Sequence, residues 1–157
     1  MNSNLMNNRD DFTILNNPDS EMYKVALCRT QNYIDARLPI SKQKGFHDNT
    51  RLMGTVDELV DHLSYGQGTN LVKNFFKFPI KKCDFCCNES KTLDRAHCNN
   101  DGCDRPSLLK QAIEFYYIDE NTPIVTGNVM YKFIELHRNQ PLYLLCKPCH
   151  SAYDKKR

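Results

Sequence analysis

The chain has 157 residues, 40% of them apolar, and a formal net charge of +2, which suits one domain, or one small domain with an appended arm, and excludes a disordered chain. No apolar run approaches the length of a spanning helix, so a membrane is not among the expected partners. The small net charge does not by itself announce a nucleic-acid partner, which leaves that argument to local patches.

The opening MNSNLMNNRDDF lacks the basic-then-apolar order of a secretory signal, and the expected location is the cytoplasm. Residues 1–20, rich in Asn, Asp and Ser, read as a flexible arm. Residues 21–50 carry Met22, Val25, Leu27 and Tyr33 in a spacing that assigns no element. The first clear helix spans Val56 to Leu63. Thr55 and Glu58 make a capping-box pattern, Val56, Leu59, Val60 and Leu63 form one stripe, and Gly66 and Gly68 end it. Leu71 to Phe78 fits either a short helix or a strand, and Pro79 marks a boundary. A helix is expected from Pro106 through Tyr117, with Leu108, Leu109, Ala112, Ile113 and Tyr116 on one face. Another is expected from Val129 to His137. The division that results is an arm over 1–20, a mainly helical region over 21–78, and a C-terminal domain over 79–157 with a helical insertion at 104–139.

Seven of the eight cysteines lie beyond residue 82. Without an export signal they argue for metal binding or catalysis, not for a disulfide framework. Cys83-x-x-Cys86 and Cys146-x-x-Cys149 are two knuckles, each able to set two thiolates at adjacent corners of a tetrahedron, and together they make a closed structural Zn²⁺ site. Adjacent thiols cannot be ranked by sequence, so Cys87 is an alternative to Cys86. Cys98 and Cys103 read either as part of a second metal site or as small buried hydrophobes, and Cys28 stands apart. Lys73, Lys77, Lys81 and Lys82 before the first knuckle, with Lys155, Lys156 and Arg157 at the end, form either a nucleic-acid patch or a solvated face.

Between and after the knuckles lie Leu93-Asp94-Arg95-Ala96-His97 and then His150, Tyr153 and Asp154. The pattern CDFC…LDRAH…LYLLCKPCHSAYD resembles the zinc-stabilised HNH (ββα-metal) endonucleases over about residues 80–157. The resemblance implies an α+β fold, with a small ββα-metal core stapled by four cysteines. It implies that His97 is the general base and that His150 holds a catalytic Mg²⁺ or similar divalent cation. The implied activity is hydrolysis of DNA phosphodiester bonds, and symmetric target sites of a restriction-type enzyme imply a homodimer.

Two positions depart from that family. Ala96 stands where an acidic or histidine ligand is usual, and Asp94 is either its replacement or a plain structural carboxylate. Pro141 stands where the family's middle asparagine is usual, and Asn139, Gln140 or His137 would orient the base instead. Asp154 either assists the metal or pairs on the helix surface. Arg95 and Arg105 are candidate phosphate contacts. Tyr116 and Tyr117 read as core more than as DNA contacts, and His47 and His62 as surface histidines. The rival expectation is a non-catalytic zinc module that docks on nucleic acid or protein.

Overall fold

A computed structural model describes residues 12–37, 49–64, 69–98 and 103–155. Among the described residues the fold is α+β, with six α-helices and two small two-stranded antiparallel sheets. Helix α1 (Glu21–Ala36) starts on Ser20, whose Oγ accepts from the Tyr23 N–H at 3.2 Å. Its buried stripe is Tyr23, Ala26, Thr30 and Ile34. Two of these four are small or polar, which is why hydropathy left the segment unassigned. Helix α2 (Val56–Leu63) carries the expected capping box, with Thr55 N–H to Glu58 Oε1 at 2.9 Å and Glu58 N–H to Thr55 Oγ1 at 3.2 Å. The Gly66 and Gly68 stop signals lie outside the described residues.

The ambiguous LVKNF run is helical, as α3 (Thr69–Phe75). Helix α4 (Arg105–Tyr116) is capped by Asp104, which accepts from the Ser107 N–H at 2.9 Å. Helix α5 (Thr126–Leu136) begins before the expected Val129, because Thr126 and Gly127 are buried with it. It passes into a 3-10 turn over His137–Asn139. Strands β1 (Arg51–Leu52) and β3 (Ile124–Val125) pair with each other. Strands β2 (Asp94–His97) and β4 (Leu142–Leu145) pair with His97 opposite Leu142 and Asp94 opposite Leu145. Helix α6 (Lys147–Lys155) follows β4 directly.

Two apolar cores form. The first joins Ile34 of α1, Leu59 and Leu63 of α2, residues of α3, α4 and α5, and Leu142. The segment 104–139 is therefore packed into the same core as the N-terminal helices. The second core joins Phe12, Leu15, Ala26, Ala96, Tyr143, Leu145 and Tyr153 to Cys83 and Cys149. Strand β4 is buried throughout and serves both cores.

The flexible arm needs correction for its second half. Residues 1–11 lie outside the described residues, but Phe12–Leu15 form a 3-10 turn. Phe12 stacks on Phe85 at 4.4 Å, and the Tyr143 hydroxyl donates to the Leu15 carbonyl at 2.6 Å. Polar composition hid two anchors, Phe12 and Leu15, that bury because the cysteine module is too small to close its core alone.

A half-buried fork ties α1 to the first knuckle. Arg29 donates from Nη1 and Nη2 to both Asp84 oxygens at 3.1 and 2.8 Å, and also to the Leu142 carbonyl at 2.8 Å. Asp84 also accepts from the Leu144 N–H at 2.7 Å. Arg29→Ala is expected to lower stability by about 3 kcal/mol in chemical denaturation, because a largely buried carboxylate loses its partner. A loss below about 1 kcal/mol, the range of exposed pairs, would contradict this.

Candidate metal centre and active site

The first knuckle turns tightly enough that the Cys87 N–H donates to the Cys83 carbonyl at 3.0 Å, with Cys87 itself at φ 64°. The second opens α6. Between them they bring the Sγ atoms of Cys83, Cys86, Cys146 and Cys149 within 4.8 Å of one another, an arrangement that could hold a metal ion. Cys86 Sγ and Cys146 Sγ are 3.7 Å apart, which matches the edge of about 3.8 Å that a tetrahedron with 2.3 Å zinc–sulfur bonds requires. Burial pushes the Cys83 and Cys149 thiols up. At Cys86 burial also raises the thiol, but hydrogen bonds from the Asn88 backbone and the neighbouring thiols outweigh it, and the net shift is downward. A desolvated cluster of four sulfurs suits a soft or borderline dication.

The ambiguity between neighbouring thiols is resolved by direction: Cys86 joins the cluster, while Cys87 is exposed and stays outside it. Cys98 is buried, its Sγ 3.6 Å from Asn16 Oδ1. Cys103 is half-buried. Among the described residues neither belongs to a second three-ligand group.

Beside this centre, β2, β4 and α6 line a cleft of about 550 Å³ together with residues of α3 and α4. His97, Asp94 and His150 face it, as do six basic side chains, Lys73, Lys81, Lys91, Arg95, Arg105 and Lys147, against the single carboxylate of Asp94. A cleft so biased draws anions. Arg95 is partly engaged already, donating from Nε to the Phe76 carbonyl at 2.8 Å and from Nη1 to the Leu93 carbonyl at 3.2 Å.

Asp94 meets His150 across the β2–α6 junction, with Oδ2 2.9 Å from His150 Nδ1, and its Oδ1 accepts from Lys147 Nζ at 3.1 Å. Burial raises the Asp94 carboxyl, but those bonds from His150 and Lys147 outweigh it and hold it below its ordinary value. Asp154 Oδ2 lies 3.4 Å from Nε2 of the same imidazole. His150 thus sits between two carboxylates, of which Asp94 lines the cleft.

At the far end of β2, His97 Nε2 lies 2.9 Å from His137 Nε2. The contact to the His97 ring comes from His137, while Asn139 is exposed and Gln140 half-buried. The reason is helical geometry: the 3-10 turn that ends α5 rotates His137 into the core and Asn139 away from it. Ala96 is packed in the second core and does not line the cleft. Tyr116 packs against the first core and the Tyr117 hydroxyl donates to the Gly54 carbonyl at 3.0 Å, so both serve the fold. His62 is exposed, and His47 lies outside the described residues. Arg29, Asp84 and Phe12 carried no motif signal, although Asp84 lies inside the first knuckle.

Burial lowers His137 to about 4, offset in part by its hydrogen bonds to the Phe133 and Ile134 backbone. His97 is also held well below its ordinary value, first by burial and then by the charge of His137, Arg105 and His150. Both rings are neutral in the folded protein at neutral pH. As pH falls below the ordinary histidine value of 6.5 the unfolded chain takes up protons that the folded chain refuses, so stability is complete above 6.5 and declines toward about 4. His137 alone accounts for about 3 kcal/mol of that decline. In urea denaturation at fixed zinc, His137→Gln is expected to lose less stability than the native chain between about pH 7 and about pH 4.5. Equal losses would contradict the neutral buried ring.

No helix among the described residues is long and apolar enough to cross a membrane. Comparisons with protein-family profiles, curated proteins and solved structures find no match for this chain.

Proposed function

We propose that this chain is a metal-dependent nuclease of the HNH (ββα-metal) kind that hydrolyses DNA phosphodiester bonds, with a structural Zn²⁺ held by Cys83, Cys86, Cys146 and Cys149. One observation carries the reading: a neutral imidazole, His97, and a carboxylate–imidazole pair, Asp94 and His150, face one basic cleft built from β2, β4 and α6 in that order. That order of two antiparallel strands and a helix is what a ββα-metal core requires.

In this reading His97 takes a proton from water at its basic ring nitrogen. The water oxygen forms a bond to phosphorus, the bond to the leaving ester oxygen breaks, and that oxygen is protonated from solvent. Asp94 and His150 supply one hard oxygen and one imidazole nitrogen, donors that fit Mg²⁺ or Mn²⁺. When bound there, such a cation offsets charge on the phosphate and the leaving oxygen. Lys73, Lys81, Lys91 and Arg105 line the path of a phosphate backbone and fix it by charge. The four cysteines, a closed thiolate set, take no part in the chemistry and hold β2, β4 and α6 together. Restriction-type recognition of a symmetric site would add a second copy of the chain.

The test is incubation of supercoiled plasmid with the zinc-loaded protein in Mg²⁺ or Mn²⁺. Nicked or linear product that disappears with EDTA, and with His97→Gln, is expected. Binding without any cut product would favour the docking module and overturn the enzyme.

A further inference from the structure

We propose that His137 is the positioning residue of the active site: it takes a hydrogen bond from His97 Nε2 and so leaves Nδ1 as the nitrogen with which His97 accepts a proton. This rests on the nuclease reading for its catalytic meaning, but the hydrogen-bond assignment stands on geometry alone.

The assignment follows from which atoms can donate. His137 Nδ1 is 2.8 Å from the Phe133 carbonyl oxygen, which can only accept, so Nδ1 carries the proton. His137 is fully buried, beside Phe133 and Phe76, and among the described residues no carboxylate pairs with its ring; the ring is therefore neutral and its Nε2 is a lone pair. Across the 2.9 Å gap between the two Nε2 atoms one proton must lie, and only His97 can supply it. With Nε2–H committed to His137, the basic nitrogen of His97 is Nδ1.

The alternative meaning of two close imidazole nitrogens is a shared metal. Among the described residues only the four cysteines bring three or more ligand atoms within 4.8 Å, so the histidine pair lacks a third donor. The surroundings of the His97–His137 pair are, moreover, fixed at three points. The Phe133 ring stands edge-on to it at 4.9 Å. The following turn is pinned to α1, where Gln31 Nε2 donates to the Arg138 carbonyl at 2.8 Å and Arg138 pairs with Asp35. Thr30 Oγ1 accepts from the Leu142 N–H at 3.3 Å, fixing the residue that faces His97 in the sheet. Helix α1 thus anchors the group that orients the base.

The test reads the two rings directly, by long-range ¹H–¹⁵N correlation on the full zinc-loaded chain at neutral pH. The native protein is expected to give His137 as the Nδ1–H tautomer and His97 as the Nε2–H tautomer. In His137→Gln the side-chain carbonyl still accepts and His97 keeps its tautomer. In His137→Leu the acceptor is gone and His97 populates both forms. With plasmid as substrate, His137→Leu is expected to lower kcat about 100-fold with little change in KM, and His137→Gln to recover most of it. A native His97 in the Nδ1–H form, or a His97 spectrum indifferent to His137→Leu, overturns the proposal. If His137→Leu does not fold, the native spectrum and His137→Gln still decide. If no protein cuts DNA but the tautomers are as assigned, the nuclease reading fails and the positioning geometry survives.

Discussion

Removing metal from the four-cysteine centre is expected to unfold the second core and, with it, the chain. Cys83 and Cys149 are buried members of that core, whose large buried apolar side chains among the described residues are Phe12, Leu15, Leu93, Tyr143, Leu144, Leu145 and Tyr153. So small a core does not stand on burial alone. Structural zinc in comparable four-ligand sites contributes about 10–16 kcal/mol, as much as the whole stability of an average domain. Strand β4 belongs to both cores, so the loss does not stay local. A chelator strong enough to strip thiolate-bound zinc, or Cys149→Ala, should abolish the cooperative thermal transition, and Zn²⁺ should restore it to the chelated native chain. Metal analysis should return one zinc per chain. An unchanged transition after complete removal would contradict the structural role of these cysteines.

The second large effect concerns His97. A positioned general base contributes about 100- to 10,000-fold to a rate, and the cleft offers no substitute, since Asp94 is already bound to His150 and Lys147. His97→Ala carries a complication. It strands the buried Nε2 of His137, at a cost of about 1–3 kcal/mol. His97→Gln is the better probe because its amide still donates to His137 while offering no basic nitrogen. Its cleavage rate is expected to fall by about 100-fold or more with the thermal midpoint nearly unchanged. Asp94→Asn should separate from it by raising the divalent-cation concentration needed for half-maximal rate.

Much of this arrangement is legible in the residues themselves. Thr55 and Glu58 announced a helix start because a capping box is a local hydrogen-bond pattern, complete within four residues. The cysteine spacing named the four clustered sulfurs, since each knuckle is likewise local. Long-range partners were harder to read. Helix α1 escaped notice because Ala26 and Thr30 occupy its buried stripe where larger apolar residues would have shown a period. Phe12 and Leu15 sit among polar neighbours, and only the cysteine core explains their burial. His137 was one of three candidates for holding His97. Sequence could not choose among them, because the choice depends on how a 3-10 turn rotates the end of α5. Asp94 fits a metal ligand or a structural carboxylate by sequence alone, and its contacts with His150 and Lys147 put it at the cleft, where among the described residues no third ligand atom lies within 4.8 Å of both Asp94 and His150.

The most direct measurement is the rate of plasmid cleavage in Mg²⁺ or Mn²⁺ by the native chain and by His97→Gln, at matched zinc content and matched thermal midpoint. A native rate that depends on the divalent cation and falls by about 100-fold or more in the variant is the expected result. Cleavage that persists undiminished in His97→Gln, or never appears in the native chain, would contradict the nuclease.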